Sequence, residues 1–329
     1  MNNLYPICII GNNPPPIGGV TVHTKRLLEH LDKEKIEYIF IPLKISNISR
    51  VIGKMLFASK KTIFHLHCSN AFLKFIFSAF AKLNRKAIMI NTMHGDLLTK
   101  HGRNYWLHYL AHKWADYPIM INQGSFDVIK NCNKNTLFFS AFIPPIIRKP
   151  LTEDFQKKLD SFKSKYDYVF ATNAYNLSYQ GDEETYGGSH LVKVFQKLQF
   201  NAGLVFSDPT SNYRRFLEGK FCSLPQNILF LNGYHPFYEV MAQTDCLIRY
   251  TSSDGDSLSV KEALYLGKPV ITTDVVSRPE TVVLVKYGDN KSLIEKMGLM
   301  AQGKLQAENK SVVNGAKQIL DLYKRILLE

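Results

Sequence analysis

The sequence predicts an α/β protein made of two Rossmann-like domains, each a mostly parallel sheet with helices on both faces. Three observations lead to this prediction. The chain has 329 residues, 45% of them apolar, and at about 150 residues a domain this length suits two domains with their own cores. Short β-branched or aromatic runs alternate with longer amphipathic stretches, which requires right-handed crossovers between parallel strands. The same alternation starts again after the proline-rich segment at 141–150.

The predicted strands fall into two sets. The first set is Ile7 to Ile10, Tyr38 to Leu43, Thr62 to His67, Ala87 to Thr92, Tyr117 to Asn122 and Thr136 to Phe139. The second set is Tyr168 to Thr172, Ala202 to Phe206, Asn227 to Leu231, Cys246 to Tyr250, Val270 to Thr273 and Thr281 to Val285. A final helix, roughly Ser311 to Leu328, carries an apolar stripe that includes Val313. We therefore expect an N-terminal domain at residues 1–150, a C-terminal domain at 151–305, and a helix within 306–329 that docks back toward the N-terminal domain.

Composition disfavours several classes of protein. The sequence has no run of about 18 apolar residues, so we expect no membrane-spanning helix. The start of the chain lacks the features of a secretory signal, so we expect a cytosolic protein. The cysteines lie singly in apolar stretches, which favours reduced core residues over a zinc site or a disulfide framework. They are Cys8, Cys68, Cys132, Cys222 and Cys246.

The positive charge is confined to the first half of the chain. The net charge is +13. Residues 1–150 contain 20 Lys and Arg against 7 Asp and Glu, whereas residues 151–329 contain 21 of each. We expect so basic a domain to face something anionic, either nucleic acid or the phosphates of a cytoplasmic membrane leaflet. A solvated basic surface that only keeps the protein soluble is the alternative.

The loop after the first strand suits a phosphate. Gly18 and Gly19 immediately precede an amphipathic helix that begins near Val20. Backbone amides at such a helix N-terminus attract an anion. The spacing is not the dinucleotide fingerprint, and no acidic residue ends the second strand, so a nicotinamide or flavin enzyme is disfavoured. A simple tight turn explains the glycine pair equally well.

The segment with the strongest signal is 248–280. Asp254 closes the loop after a predicted strand, and Ser259 with Glu262 forms a capping pattern for a helix that stops at Gly267. Acidic side chains there accept hydrogen bonds from vicinal hydroxyls, while free amides between them hold a diphosphate. A polyol joined to a diphosphate is a sugar nucleotide. Taken singly, Glu262 is explained by the capping box and Asp254 by an Asp-Gly turn.

This segment resembles the signature of family 4 of the retaining glycosyltransferases. In that family an acidic residue, usually Glu, is followed after seven residues by Glu, as Asp254 is followed by Glu262. The pattern A-x-x-x-G-x-P-V-I comes next, as at 263–271. The glycine loop and the segment NTMHGDL at 91–97 occur in the order and position that the family uses. The resemblance covers most of the chain and implies the GT-B fold, in which two Rossmann-like domains face each other across a cleft.

The resemblance implies roles for individual residues. Glu262 would bind the nucleotide ribose, Asp254 would contact hydroxyls of the transferred sugar, and His94 would lie beside that sugar from across the cleft. Asp96 would bind the acceptor hydroxyl, unless an Asx turn explains it. Backbone amides of two loops would hold the diphosphate, at Gly18, Gly19, Gly255, Asp256, Ser257 and Leu258. In the family the departing diphosphate takes the acceptor proton, with retention of configuration and without a protein nucleophile.

One departure from the family pattern concerns cations. The family has an Arg after the first strand of its second domain and a Lys shortly after it, both of which neutralise the leaving diphosphate. Here Asn173 or Asn176, and the pair Tyr186-Gly187, stand near those positions. Another cation is therefore needed for the diphosphate. The candidates are Arg249, Lys261 and Arg278; Arg249 is favoured because the end of a strand aims its side chain at the cleft. Each is also explained as a surface charge.

The sequence requires no metal. The triplet Asp254-Gly255-Asp256 has the Asp-x-Asp form used by metal-dependent sugar transferases of the other major fold, and it is able to bind Mg²⁺ together with a diphosphate. The same residues fit the loop described above without a metal. We therefore expect a metal-independent enzyme whose one small-molecule partner is a nucleoside diphosphate sugar, with a UDP-sugar favoured.

The acceptor is expected at a membrane. Residues 69–86 form a predicted helix in which aromatic residues are interleaved with Lys74, Lys82, Arg85 and Lys86. Such a helix lies on an anionic bilayer or, alternatively, is a core helix with snorkelling lysines. Together with the basic first half, it favours a peripheral protein on the inner face of the cell membrane. The acceptor would be an oligosaccharide on undecaprenyl diphosphate.

The sequence therefore predicts a retaining glycosyltransferase that moves a hexose or N-acetylhexosamine to a saccharide in bacterial surface polysaccharide synthesis, as in O-antigen. A sugar-nucleotide epimerase of the same fold is an alternative, but it would need no basic first domain. A nucleic-acid-binding module is another alternative. The sequence lacks a clear reading helix or an aromatic and basic sheet face, so we expect no nucleic acid partner.

Overall fold

The structure is a computed structural model, and it describes residues 7–14, 19–254, 257–305 and 312–328. The chain divides into two compact units. The first unit combines Met1–Ile147 with Val313–Glu329, and the second is Arg148–Val312. Each unit contains a six-stranded parallel sheet, so the predicted α/β class is confirmed.

The first unit begins with alternating strands and helices. Its strands are β1 (Ile7–Gly11), β2 (Ile39–Pro42), β3 (Thr62–His67), β4 (Ala87–Met93), β5 (Tyr117–Met120) and β6 (Leu137–Phe138). Its helices up to this point are α1 (Gly19–Lys33), α2 (Ile45–Leu56), α3 (Ala71–Ala81), α4 (Gly102–Trp114) and α5 (Gln123–Lys130). The strand order is β2-β1-β3-β4-β5-β6, and every pairing is parallel.

Both faces of this sheet are covered because its strands are apolar on both sides. Ile7 and Ile9 of β1 belong to the core cluster formed with α1, whereas Cys8 and Ile10 belong to the cluster formed with α2 and α3. Neighbouring residues of a strand point to opposite faces, so a continuous apolar run is buried only between two layers of helices.

The second unit repeats the alternation. Its main strands are β7 (Tyr168–Asn173), β10 (Ala202–Ser207), β11 (Ile228–Leu231), β12 (Cys246–Arg249), β13 (Val270–Thr273) and β14 (Val283–Val285), and a small hairpin joins β8 (Tyr179–Gln180) to β9 (Glu183–Glu184). Its helices are α6 (Glu153–Lys163), α7 (Gly188–Phe195), α8 (Asn212–Lys220), α9 (Phe237–Ala242), α10 (Leu258–Tyr265) and α11 (Asn290–Ala301). The order of the parallel sheet is β11-β10-β7-β12-β13-β14.

The two sheets differ in strand order, which the sequence did not indicate. All of the predicted strands are present with small shifts at their ends, but the hairpin β8–β9 was missed because two-residue strands carry no periodic signal. The order reverses between β1 and β3 in the first sheet and between β7 and β12 in the second. Ligands of open parallel sheets bind beyond the carboxyl ends of strands at such reversals.

The last helix, α12 (Gly315–Leu328), belongs to the first unit and packs against α1. Its buried face includes Tyr323, whose hydroxyl is hydrogen-bonded to Nδ1 of His65 in β3. A Cβ atom at Gly315 would clash with the backbone carbonyl of Ser140, so the helix begins at a residue without a side chain. The prediction that Val313 belongs to the apolar stripe of this helix was wrong, because Val313 precedes the helix and is 57% exposed.

Two other expectations about burial were wrong. Lys74 is fully buried rather than displayed on α3, because it lies on the side of the helix that packs on β4. Its Nζ donates to the carbonyl of Thr92 at 2.7 Å, and burial lowers the pKa of this lysine to about 8. Cys222 is exposed, since it follows α8 in a surface turn, whereas Cys8, Cys68 and Cys246 are buried. None of the described helices is both long enough and apolar enough to cross a bilayer.

Candidate active site

Three charged side chains meet at the carboxyl end of the second sheet. Arg249 is the last residue of β12, and Asp254 lies in the loop that follows. The carboxylate of Asp254 accepts hydrogen bonds from Nε of Arg249 at 3.1 Å and from Nη2 of Arg249 at 3.0 Å. It also accepts one from Nη2 of Arg278 at 2.9 Å. The structure thus joins three residues that the sequence had suggested separately.

This triad is buried and carries a net positive charge. The side chains of Arg249, Asp254 and Arg278 are 11%, 7% and 3% exposed. Burial alone would raise the pKa of Asp254, but the hydrogen bonds and charges of the two arginines outweigh burial and lower that pKa below its usual 3.8. Two guanidinium groups against one carboxylate leave a charge of +1, which suits an anionic ligand.

The guanidinium of Arg249 contacts Asn173 and Tyr186, two of the residues that the sequence comparison set near the cations of the family pattern. Its Nη1 donates to the backbone carbonyl of Asn173 at 3.5 Å, at the end of β7. Its central carbon lies 4.9 Å from the centroid of the Tyr186 ring, a cation–π contact. Gly187 follows with φ +54°, and a Cβ atom there would be 2.8 Å from the carbonyl oxygen of Tyr250. The glycine therefore lets this loop approach the strand that bears Arg249.

Helix α10 begins one turn after Asp254, at a different residue from the one that the sequence predicted. Its N-cap is Ser257, with no side-chain capping bond, and Ser259 lies inside the helix. The predicted capping box of Ser259 and Glu262 was therefore wrong, because Glu262 lies in the second turn rather than the first. Glu262 is nonetheless buried, at 6% exposure. The helix stops as predicted, with Gly267 in the left-handed conformation after its end.

Some of the other residues predicted to bind the diphosphate lie within the described part of the structure, and the rest do not. Ser257 and Leu258 lie at the N-terminus of α10, where free backbone amides point out of the helix, and Lys261 is half-buried on its first turn. Gly19 is the first residue of α1. Gly18, Gly255 and Asp256 lie outside the described residues.

His94 lies in the first unit, directly after β4 as expected, within a cluster of histidines. Its Nε2 is 3.1 Å from Nδ1 of His67, the last residue of β3. The ring of His23 in α1 meets the ring of His94 edge-on with a centroid distance of 4.8 Å. Burial, together with neighbouring positive groups, lowers the pKa of His67 and of His94 well below 6.5. These imidazoles are therefore neutral at pH 7.

Sequence reasoning missed His23 and His67. The one signal that could have found them is the pair of histidines at alternate positions of β3, His65 and His67, which end a strand beside the reversal in strand order.

The alternative explanation for Asp96 is confirmed. Its Oδ1 accepts from the amide of Leu98 at 2.9 Å, which is an Asx turn, and from the hydroxyl of Ser125 at 2.8 Å.

Solved structures with the same fold are glycosyltransferases. HepE of Anabaena in complex with UDP has a TM-score of 0.70 at 13% identity, over 97% of this chain and 99% of HepE, and HepE is also known with UDP-glucose. A glycosyltransferase of Rickettsia africae has a TM-score of 0.69 at 15% identity, over 99% of each chain. The lipopolysaccharide outer core galactosyltransferase WaaB has a TM-score of 0.59 at 15% identity, over 97% of this chain and 99% of WaaB.

At these identities the likeness shows the fold, which is the GT-B fold that the sequence predicted. No family model matches the sequence, and a search of curated proteins finds no relative.

Proposed function

We propose that the protein is a retaining glycosyltransferase that uses a nucleoside diphosphate sugar. The observation that carries this proposal is the buried Arg249–Asp254–Arg278 triad, with its charge of +1, beside the N-terminus of α10 at the reversal in strand order. A diphosphate needs cations and free amides, and both lie at this end of the sheet. The GT-B fold supports the same class of reaction.

We infer that Arg249 and Arg278 replace the Arg and Lys of the family pattern. The contacts of Arg249 with the carbonyl of Asn173 and the ring of Tyr186 support this for Arg249. As the diphosphate departs it gains negative charge, and fixed guanidinium groups in a buried site stabilise that charge without reorganisation. With two arginines available, we propose that no metal is needed at the diphosphate, and Lys261 adds a further cation.

We propose two roles for Asp254. It holds both guanidinium groups in place through three hydrogen bonds. We propose that the same carboxylate accepts a hydrogen bond from a hydroxyl of the transferred sugar, since a carboxylate oxygen accepts more than one hydrogen bond. Glu262, buried on α10, would bind the ribose, and the amides of Ser257 and Leu258 would hold the diphosphate.

His94 stays a prediction from the resemblance. We propose that its imidazole contacts the transferred sugar as a neutral hydrogen-bonding group, consistent with its lowered pKa. The departing diphosphate would then take the acceptor proton. The donor we favour is a UDP-sugar carrying a hexose or N-acetylhexosamine, and the complexes of HepE with UDP and UDP-glucose support the nucleotide.

For the acceptor we propose a lipid-linked saccharide, such as an oligosaccharide on undecaprenyl diphosphate, at the inner face of the cell membrane. The surface of α2 and α3 supports membrane contact. Ile45, Phe57, Phe72 and Leu83 are 57–90% exposed there. The same stretches of chain carry exposed basic residues, namely Lys44, Arg50, Lys60, Lys61, Lys82, Arg85 and Lys86. Exposed apolar side chains ringed by Lys and Arg bind anionic bilayers. WaaB, with the same fold, is a lipopolysaccharide outer core galactosyltransferase.

Two measurements test the proposal. The first is a thermal-shift series with UDP-, GDP-, CDP- and ADP-sugars, followed by transfer of labelled sugar to bacterial lipid extract and NMR of the product anomer. We expect a shift with UDP-sugars and a product of retained configuration. No shift with any donor would contradict the proposal, and a UDP-sugar converted into a second UDP-sugar without acceptor would indicate an epimerase instead.

The second measurement is sedimentation with vesicles of phosphatidylglycerol and phosphatidylcholine. The F72S/L83S double variant should bind more weakly than wild type, whereas V313S, which removes an apolar side chain exposed elsewhere on the first unit, should bind normally. Equal binding of both variants, or tighter retention on RNA than on vesicles, would contradict membrane docking through Phe72 and Leu83.

A further inference from the structure

Three imidazoles converge at the carboxyl end of the first sheet. His23 lies one turn into α1, His67 ends β3, and His94 follows β4. One potential ligand nitrogen of each lies within 4.8 Å of the others, and among the described residues this is the one group of three or more His, Cys, Asp or Glu so arranged. The group sits beside the reversal between β1 and β3, where parallel sheets bind ligands.

The spacing suits a tetrahedral metal. Zn–N bonds of about 2.0–2.1 Å place two coordinating nitrogens of a tetrahedron about 3.3 Å apart. Nδ1 of His67 and Nε2 of His94 are 3.1 Å apart, close to that edge. The ligand nitrogen of His23 lies within the 4.8 Å spread of the group.

The surroundings orient the imidazoles for coordination. Nδ1 of His23 is 3.1 Å from the carbonyl oxygen of Ala141. Because a carbonyl oxygen only accepts hydrogen bonds, Nδ1 of His23 carries the proton and Nε2 carries the lone pair. Metal-bound histidines are commonly oriented in this way, with the nitrogen that does not bind the metal donating to a backbone carbonyl. His67 is 1% exposed, so its imidazole is held by packing; its Nε2, the nitrogen opposite the proposed ligand atom, makes no hydrogen bond within the described part of the chain. His94 is only partly buried, which leaves a route from solvent.

From this geometry we propose that His23, His67 and His94 bind a Zn²⁺ ion, with the fourth coordination position open to water or to an oxygen of a ligand. Neutral imidazole suits Zn²⁺, whereas Mg²⁺ and Ca²⁺ prefer oxygen ligands. The buried ammonium of Lys74 is close enough to act electrostatically on these histidines, and it repels any cation. A metal ion bound here must therefore be held by short bonds to the imidazole nitrogens and not by charge attraction alone. The coordination does not depend on the proposed glycosyltransferase activity, although His94 is also the residue that we propose to contact the transferred sugar.

The test uses full-length protein without a histidine tag, stripped with chelator and titrated with Zn²⁺ or with Co²⁺ as a spectroscopic probe. We expect one Zn²⁺ per chain and the intense visible absorption of tetrahedral Co²⁺. H23Q and H67Q should each weaken binding by at least about tenfold. H101Q serves as the control, because His101 is an exposed histidine of the same unit. Binding that H23Q and H67Q leave unchanged would overturn the assignment.

A second measurement does not depend on how the variants fold. X-ray absorption of the wild-type zinc complex should show three imidazole nitrogens and one light ligand at about 2.0–2.1 Å. A first shell with sulfur, or with fewer than two imidazoles, would place the ion elsewhere and overturn the proposal. So would the failure of wild-type protein to retain zinc against a weak chelator.

Discussion

Arg249 and Asp254, five positions apart in the sequence, form a bidentate ion pair. Nε and Nη2 of the arginine lie 3.1 Å and 3.0 Å from the two carboxylate oxygens. A planar guanidinium held in this way cannot rotate freely, so its remaining edge keeps a fixed direction. That direction is defined further by the carbonyl of Asn173 and the ring of Tyr186. Arg249 is thus a guanidinium of fixed orientation rather than a mobile surface charge, and the first prediction follows from this.

Replacing Arg249 should slow transfer far more than it weakens donor binding. R249A should lower kcat by roughly 100-fold or more, because the lost cation stabilises charge that develops as the diphosphate leaves. R214A is the matched control, since Arg214 is half-exposed on α8 of the same unit and pairs with Glu218. Steady-state kinetics with a UDP-sugar separates kcat from KM. Equal loss in kcat and in donor affinity would instead indicate simple anchoring of the donor.

Asp254 should make the second unit sensitive to acid. Its pKa is lowered in the folded state, so its stabilising effect is fully present above its unfolded pKa of about 3.9 and is lost as pH falls toward the lower folded value. D254N leaves two buried guanidinium groups without their counter-ion, which should cost about 3 kcal/mol at pH 7.

Urea unfolding at pH 7, 5 and 3 measures this effect. The difference between wild type and D254N should shrink as the pH falls, and D154N, at the exposed Asp154–Lys158 pair, should differ from wild type by less than about 1 kcal/mol. A difference that is constant from pH 7 to pH 3 would contradict the role of the ionised carboxylate.

Glu262 should be required for binding the donor. E262Q keeps the shape of the side chain but removes its charge, so hydroxyls of the ribose would lose their charged acceptor. Wild type at a donor concentration of 100 times Kd should gain about 2.7 kcal/mol of stability, seen as a rise in Tm, and E262Q should lose most of that gain. E295Q, an exposed glutamate of α11, is the control. An unchanged shift in E262Q would remove this residue from the site.

Lys74 should destabilise the first unit at neutral pH. Burial lowers its pKa to about 8 from an ordinary 10.5. Between these two values the unfolded chain binds a proton that the folded chain does not, so stability rises as pH increases through this range. K74M removes the buried charge and should raise stability at pH 7 by a few kcal/mol at most, since one pKa unit is about 1.4 kcal/mol.

The measurement for Lys74 is urea unfolding at pH 7, 8 and 9. The advantage of K74M should fall as the pH rises, whereas K82M, at the exposed end of the same helix, should show little change at any pH. If K74M were less stable than wild type at pH 7, the hydrogen bond from Nζ to the carbonyl of Thr92 would be worth more than the cost of burying the charge.

The sequence by itself determined the two α/β units, because hydrophobic periodicity and composition are local properties of the chain. Each strand is recognisable as a short apolar run. It also determined which segment to examine, since Asp254, Glu262 and Gly267 lie close together along the chain. It missed the start of α10 by two residues, because Ser257 and Ser259 are both acceptable caps and only the fold of the preceding loop chooses between them.

The tertiary structure decided what depends on residues far apart in sequence. It brought Arg278 onto Asp254 from 24 residues away and set Arg249 against Asn173 and Tyr186. It also gathered His23, His67 and His94 from a helix, a strand and the loop after another strand. No local pattern encodes these contacts, because they depend on strand order, and the two sheets with similar sequence rhythm have different orders. Strand order is set by how whole layers pack, which is why the charged and histidine clusters emerged only with the fold.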